Sequence, residues 1–407
     1  MKIGFDVSQT GALRAGCGYF ADSLIRALAA GATPHQFVLY PTFGNFFLDP
    51  NWESNTYAPE QPNFSRGLAH TEFDQQYAFW TTPPADFEEQ IGGPDLVHAN
   101  NFFCPKQLEH ARLVYTLYDL SFLENPQWTQ EANRTGCFEG VFQASLHADH
   151  ILAISHFTKR HFLEIFPHYP QDRITVAHLA SRFTDVAQAA QPEPCKQLQP
   201  DKFWLCVGTL EPRKNHARLL QAFAKLKAQS GGRTLPLVLA GGRGWLTDDL
   251  HRLIALLGLA DDVVLPGYVD DQTLQWLYEN CFAVLYPSLF EGFGLPVLEA
   301  MSLGAAVITS NTTSIPEIAG DAALLVNPLR EEEILDAMLR LLAQPELRGK
   351  LRQQAQVQAR RFCWADAART TLECYEQTLL SPRLKDTLVK PFVSERSPAA
   401  CLLEKTA

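Results

Sequence analysis

Glu291 and Glu299 stand eight positions apart in the run Glu291-Gly292-Phe293-Gly294-Leu295-Pro296-Val297-Leu298-Glu299. The apolar stretch 283–286 before them reads as a buried strand ending at Pro287. The glycine-bearing loop then leads into a helix that Pro296 can open, because a missing N–H costs nothing at the first helical position. Gly292 and Gly294 let the main chain approach a ligand closely, and the helix end adds partial positive charge. Such a loop favours an anionic or hydroxyl-rich ligand. Ionised carboxylates only accept hydrogen bonds, so one on the loop and one on the helix can serve different hydroxyls of a bound sugar nucleotide. Glu299, expected in the first turn of that helix, would on its own be an ordinary helix-stabilising residue.

A second group follows another strand-like run: Val207-Gly208-Thr209-Leu210-Glu211-Pro212-Arg213-Lys214-Asn215-His216. The carboxyl ends of strands in an open α/β sheet face the ligand crevice, so Arg213 and Lys214 are expected to point two cations into it. Two fixed positive charges can stabilise a leaving pyrophosphate in place of a divalent metal. The sequence has no Asp-x-Asp pair, and no metal site is expected. A solvated basic pair is the plainer reading of these two residues taken alone.

The elements that must position these groups follow from periodicity. Strand signals fall at residues 3–6, 37–40, 96–98, 113–117, 150–153 and 174–177, with helical patterns between several of them. The clearest is 19–30, where Phe20, Leu24, Ala27 and Leu28 share one face. Residues 181–200, with Gln-Pro-Glu-Pro at their centre, break the periodicity as an interdomain linker would. Strand-turn-helix units then restart at 203, 237, 263, 283 and 305. This predicts an α/β protein of two Rossmann-like doubly wound domains facing an interdomain cleft. The expected bounds are 1–185 for the first domain, 186–200 for the linker, 201–380 for the second domain, and 381–407 for a poorly ordered tail. Between 41 and 94 the pattern dissolves into a segment rich in Pro, Asn and aromatics, including Phe46, Phe47, Trp52, Phe64, Tyr77 and Trp80. Its rings either pack on their own domain or contact an acceptor.

Composition narrows the class. At 407 residues the chain exceeds one hydrophobic core, and 46% hydrophobic with 19% charged residues is the balance of a globular protein. A net charge of -11 argues against nucleic acid as a partner. Nine cysteines without a C-x-x-C pair argue against zinc and a disulfide framework. The start, Met1-Lys2-Ile3-Gly4-Phe5-Asp6, lacks signal-peptide regions, so a cytoplasmic location is expected.

The run 207–215, the Glu291/Glu299 pair and Asn311-Thr312-Thr313-Ser314-Ile315-Pro316-Glu317 together resemble glycosyltransferase family four, of the GT-B fold. Tyr118-Asp119-Leu120-Ser121-Phe122 and Ile154-Ser155-His156-Phe157-Thr158-Lys159 add support from the first domain. The resemblance implies a retaining, metal-independent hexosyltransferase without a cofactor, whose leaving phosphate accepts the acceptor's proton. It implies that Arg213 and Lys214 hold the donor diphosphate and that Glu299 binds the ribose hydroxyls. Glu291, with the amides of Gly292, Phe293 and Gly294, would contact the transferred hexose. Leu295 and the backbone near Tyr268 and Val269 would line the nucleotide pocket, with Gly208 beside it. Gly11, Gly16 and Gly18 match in position the glycine-rich loop near donor and acceptor. Gly16-x-Gly18-x-x-Ala21 also fits a dinucleotide fingerprint, but ten residues separate it from Asp6 at the strand end.

The family commonly has His-Asp where this chain has Tyr118-Asp119, and Tyr does not titrate near neutral pH. Tyr118 is expected to donate a hydrogen bond, Asp119 to orient it or a nearby loop, and His98 either to supply the imidazole or to be structural. The 119–122 segment is most similar to bacterial surface-polysaccharide and O-antigen mannosyltransferases, which favours GDP-mannose as donor over a UDP-hexose. A glycan or lipid-linked glycan is the expected acceptor. In that case His156, Lys159, Arg160 and His161 would give weak peripheral contact with the inner face of a membrane. A sugar-nucleotide epimerase and a non-catalytic nucleotide-sugar binder are the readings from other classes.

Overall fold

The computed structural model describes residues 1–388 apart from 12–13, 15, 32, 45–55, 71, 184–185, 243 and 245–246. Phe46, Phe47, Trp52 and the tail 389–407 lie outside the described residues. The first lobe is built on seven parallel strands: β1 (Lys2–Asp6), β2 (Gln36–Tyr40), β3 (Phe64–Arg66), β4 (Leu96–Ala99), β5 (Arg112–Leu117), β6 (His150–Ala153) and β7 (Ile174–Val176). Their order is β3-β2-β1-β4-β5-β6-β7. The second lobe has six: β8 (Trp204–Val207), β9 (Leu237–Ala240), β10 (Val263–Gly267), β11 (Ala283–Tyr286), β12 (Val307–Ser310) and β13 (Leu324–Val326). Their order is β10-β9-β8-β11-β12-β13. Both are doubly wound, with helices covering the two faces; β4, β5, β6, β8, β9, β11 and β12 are accordingly buried along their whole length.

In each sheet the chain winds outward in one direction and then returns to wind in the other. The reversals fall between β1 and β4 in the first sheet and between β8 and β11 in the second. Loops at the carboxyl ends of those strand pairs splay apart and leave a crevice, the usual place for a ligand in such sheets. The 207–216 run leaves β8 and the Glu291 loop leaves β11, so the sequence places its two charged groups at the second reversal.

Segment 41–94 is more regular than expected. It contains β3 and the helices Phe73–Thr81 and Phe87–Gln90. Phe64 stacks on Phe37 at 4.6 Å, and Phe43, Phe79, Trp80 and Phe87 form one aromatic cluster under the sheet. These rings pack on their own domain, whereas Phe73 and Tyr77 remain exposed. Segment β13, only three residues long, also carries too short a pattern to read in sequence.

The carboxyl-terminal region departs from the expected boundary at 380. The helix Trp364–Leu380 runs back across the molecule and packs on the helix Gly16–Ala30 and on β5, β6 and β7 of the first lobe. Its Tyr375 is fully buried there and lies 2.6 Å from His98 Nδ1. Residues 381–388, expected to be disordered, continue onto the same lobe as the short helix Leu384–Leu388. Leu384 is completely buried and its amide donates to Asp149 Oδ1 at 2.9 Å, while Arg173 donates to the Pro382 carbonyl at 2.8 Å. A polar composition concealed this docking because one leucine, main-chain groups and the Arg383 guanidinium, which donates to the Leu108, His110 and Ala111 carbonyls, make it.

Candidate active site

The strand β8 ends in Gly208, whose φ of +148° lies in a region that side chains rarely adopt. Lys214 packs against it: a Cβ at 208 would stand 3.4 Å from Lys214 Cε. Residues Pro212–Lys214 form a 3₁₀ turn, and Asn215 follows at φ +63° to start the helix His216–Gln229. The Asn215 amide donates to the carbonyls of Pro287 and Pro328 at 2.9 and 2.7 Å, and Leu289 N donates to the Arg213 carbonyl at 2.8 Å. The two loops are thereby stitched together, so cations and carboxylate meet through backbone that is itself fixed.

Glu291 sits at the centre of the cluster and is 6% exposed. Its Oε1 accepts from Lys214 Nζ at 2.8 Å, Ser288 Oγ at 2.6 Å and Tyr286 Oη at 2.9 Å. Its Oε2 accepts from Arg213 at 3.0 Å, and the same guanidinium reaches Glu211 at 2.6 Å and the Phe290 carbonyl at 2.7 Å. Burial alone would raise the Glu291 carboxyl, but Lys214 and Arg213 outweigh it and hold it down to about 2. Burial likewise works against a charged Arg213, and Glu291 and Glu211 keep it protonated. The carboxylate expected to touch the hexose is thus occupied in aiming the two cations. With two carboxylates facing two cations, the cluster is close to neutral; each cation retains N–H donors beyond those used.

Beyond Glu291, among the described residues, the amides of Gly292, Phe293 and Gly294 meet no protein acceptor. Gly294 (φ +100°) caps the helix Leu295–Ser302, and Pro296 is its second residue. Three free donors beside two cations at a helix N-terminus make an anion site. Glu299 falls in the second turn of this helix, a correction to the expected first turn. It gains nothing from the helix end there, and its side chain turns into the protein toward Tyr278 and Arg182. Val269 and Leu295 are half-buried, while the Tyr268 ring is 64% exposed.

The first lobe closes against this loop. A Cβ on Gly292 would come 2.3 Å from the Tyr118 carbonyl oxygen and 2.7 Å from Asp119 Cβ, so only glycine permits the approach. Ser155 Oγ and Thr158 Oγ1 both donate to the Gly292 carbonyl, at 2.6 and 3.1 Å. Glu317 of the second lobe accepts from the amides of His156 and Phe157 and from His178 Nε2 at 2.6 Å. His156, His178 and Glu317 have ligand atoms within 4.8 Å of one another, which the sequence reading missed because the three lie far apart in the chain. Those hydrogen bonds already occupy the Glu317 oxygens.

Several expected roles change, and for Asp119 and His98 one of the two expected alternatives holds. Tyr118 is 6% exposed and its hydroxyl donates to the Asn100 carbonyl at 2.8 Å, so it braces the first lobe instead of facing the cleft. Asp119 accepts from Ser121 N and Oγ at 2.9 and 2.7 Å; it orders its own loop, not Tyr118. His98 is fully buried between Tyr375 and Thr116, and burial pushes it down to about 3, so it is a neutral structural group. Gly16 and Gly18 belong to the first turn of the helix Gly16–Ala30 and not to a flexible loop. Gly18 is needed for contact, since a Cβ would stand 2.0 Å from the Gln9 carbonyl oxygen. The basic cluster disperses: Lys159 donates to the Ile174 carbonyl and His161 pairs with Glu124, leaving His156 and Arg160 exposed. Among the described residues no helix is long and apolar enough to cross a membrane.

Residues 190–358 match the family described as glycosyl transferases group 1. The chain is 35% identical over 288 residues to the O-antigen chain mannosyltransferase B of Escherichia coli, covering 69% of this chain and 74% of that one. It is 33% identical over 313 residues to the serotype-specific mannosyltransferase WbdA of Escherichia coli, a match that takes in 72% of this chain and 38% of WbdA. Sucrose-phosphate synthase from Thermosynechococcus elongatus shares the architecture with a TM-score of 0.71, at 19% identity over 93% of this chain and 98% of its own. The chain belongs to the glycosyl transferases group 1 family, with the GT-B fold, and is a glycosyltransferase.

Proposed function

We propose that the protein transfers mannose from GDP-mannose to a hydroxyl of a glycan or lipid-linked glycan acceptor, with retention of configuration and without a metal. The observation that carries this reading is the joint placement of Arg213, Lys214 and Glu291 beside the unpaired amides of 292–294 at the reversal of the second sheet, with the first lobe pressed on Gly292. The diphosphate takes the cations and amides, and Glu299 takes the ribose hydroxyls. As the bond from the sugar's anomeric carbon to the phosphate oxygen breaks, that carbon bonds to the acceptor oxygen. The acceptor's proton passes to the departing phosphate, whose charge the cations stabilise. The choice of mannose rests on the mannosyltransferases of Escherichia coli that the chain resembles over most of its length. The acceptor reading draws on Tyr77 and Trp80, which line a first-lobe cavity of about 80 Å³ with Phe102, the ring of which lies 5.9 Å from that of Tyr118. A cytoplasmic enzyme acting at the inner membrane face fits such an acceptor.

The test is thermal shift of the purified protein with GDP-mannose, UDP-glucose, UDP-galactose and UDP-N-acetylglucosamine, since a tight donor raises apparent stability. Nucleotide release is then followed with acceptor glycans and with chelator present. A shift and turnover with GDP-mannose, insensitive to chelator and giving the donor's anomer, is the expected result. Preference for a UDP-sugar would move the donor assignment, and recovery of an isomerised sugar without acceptor would point to an epimerase. Lys214→Ala and Glu291→Ala are each expected to lower kcat/KM at least about 100-fold. Wild-type turnover in both would sink the site, and donor binding without any turnover in the wild type would leave only a binder.

A further inference from the structure

Glu299, read above as the ribose carboxylate, is 2% exposed and faces Tyr278 of its own lobe and Arg182 of the chain that joins the lobes. Arg182, in the connection after β7, lies over it with Nε 2.9 Å from Glu299 Oε1. This is a charge contact whose angle falls outside hydrogen-bonding geometry, so both atoms are buried without a hydrogen-bond partner. The other carboxylate oxygen receives one long bond, from Tyr278 Oη at 3.4 Å. Arg182 also reaches Asp271 at 2.9 Å and stacks on the ring of Tyr19 at 4.1 Å. Tyr19 belongs to the first turn of the helix Gly16–Ala30, directly after Gly18.

We propose that Arg182 is a positioning residue of the donor site: it holds the Glu299 carboxyl in place for the ribose hydroxyls and, through Tyr19, ties it to the first lobe. The inference rests on the reading of Glu299 as the ribose ligand. The carboxylate keeps acceptor capacity because its partner supplies charge without a complete hydrogen bond, and a vicinal diol can complete it. Burial pushes Glu299 up to about 7, Arg182 opposes that rise, and Asp271 adds to it. Without the guanidinium the rise goes further, so that the carboxyl beside Asp271 is protonated at pH 7 and loses strength as an acceptor. An Arg is suited to the task because one planar fork spans Glu299, Asp271 and an aromatic face together.

The protein is titrated calorimetrically with GDP and UDP and with their 2′-deoxy forms, at pH 7. In the wild type the ribonucleotide it prefers should bind at least about 10-fold more tightly than its deoxy form, as a charge-assisted hydrogen bond would give. In Arg182→Ala the ribonucleotide should weaken several-fold and the preference over the deoxy form should fall below about 3-fold, with Arg182→Lys restoring only the part that charge alone supplies. Donor KM should rise with kcat little changed. Unchanged discrimination in Arg182→Ala, or tighter binding because a plug has been removed, would overturn the proposal. If the alanine variant does not fold, Arg182→Gln removes the charge at similar length and carries the same test. Glu299→Ala separates the two claims: if it keeps full discrimination, the ribose assignment itself fails, whereas loss there with none in the Arg182 variants sinks only the present inference.

Discussion

The charges of the site are held by one another as much as by the fold. Glu291 is ionised because Lys214 and Arg213 flank it, and its carboxyl lies well below the ordinary value of 4.5, at about 2. A group depressed in this way contributes stability above its unfolded pKa and loses it as pH falls through the folded one. Glu291→Gln is therefore expected to be less stable than wild type by about 3 kcal/mol at pH 7. The gap should narrow below pH 4.5 and close near pH 2, which thermal or urea unfolding at stepped pH would check. A constant gap across that range would mean that packing, and not ionisation, accounts for the loss. His98 makes the opposite case. It is neutral throughout the working range, so His98→Leu should cost about 1–3 kcal/mol, chiefly from the Tyr375 hydroxyl it leaves unpaired, since Thr116 still donates to Asn100, while the pH–rate profile between 5.5 and 8 stays as in the wild type. A lost limb in that profile would return His98 to the chemistry.

At the scale of elements, the site was readable in the sequence where a short contiguous run fixes backbone geometry. The turn after β8 and the loop after β11 carry their glycines, prolines and charges within about ten residues each, and their strands lie side by side at the sheet reversal. What could not be read depends on residues far apart. The hydroxyl of Tyr118 turns to the Asn100 carbonyl, His98 pairs with Tyr375 from 277 positions away, and Arg182 finds Glu299 across the lobes. The aromatic segment misled for another reason: its helices are too short, and β3 too brief, for periodicity to stand out. Gly292 shows what contact can demand. Gly292→Ala places a methyl 2.3 Å from the Tyr118 carbonyl oxygen, main chain of the other lobe, so the clash is relieved by the lobes moving apart as whole units. Turnover should fall at least about 10-fold with less than about 1 kcal/mol change in the stability of the protein. Retained activity would mean that the lobes work at a wider separation than the one described.

For the molecule as a whole, the lobes meet through directed polar contacts, with Ser155 and Thr158 on Gly292, Glu317 on His178 and two amides, and Arg182 on Asp271, and through rings, with Trp128 and Phe157 on Phe290 and His178 on Phe293. Interfaces that mix polar and apolar contacts in this way permit relative motion. Glu317→Ala removes three hydrogen bonds between the lobes, and small-angle scattering should then give a larger radius of gyration than for wild type. An unchanged value would show that the remaining contacts suffice.

The return of the helix Trp364–Leu380 to the first lobe has a mechanical corollary. The polypeptide crosses from one lobe to the other twice, once before β8 and again between the helices Pro345–Ala359 and Trp364–Leu380. A single tether would let the lobes swivel in any direction, but two crossings behave like a door hung on two pins: the line through them sets the swing, and each opening stroke retraces the closing one. Re-engagement of Gly292 with Tyr118 and Asp119 after every catalytic cycle is then a matter of one angle and not of a search through six coordinates.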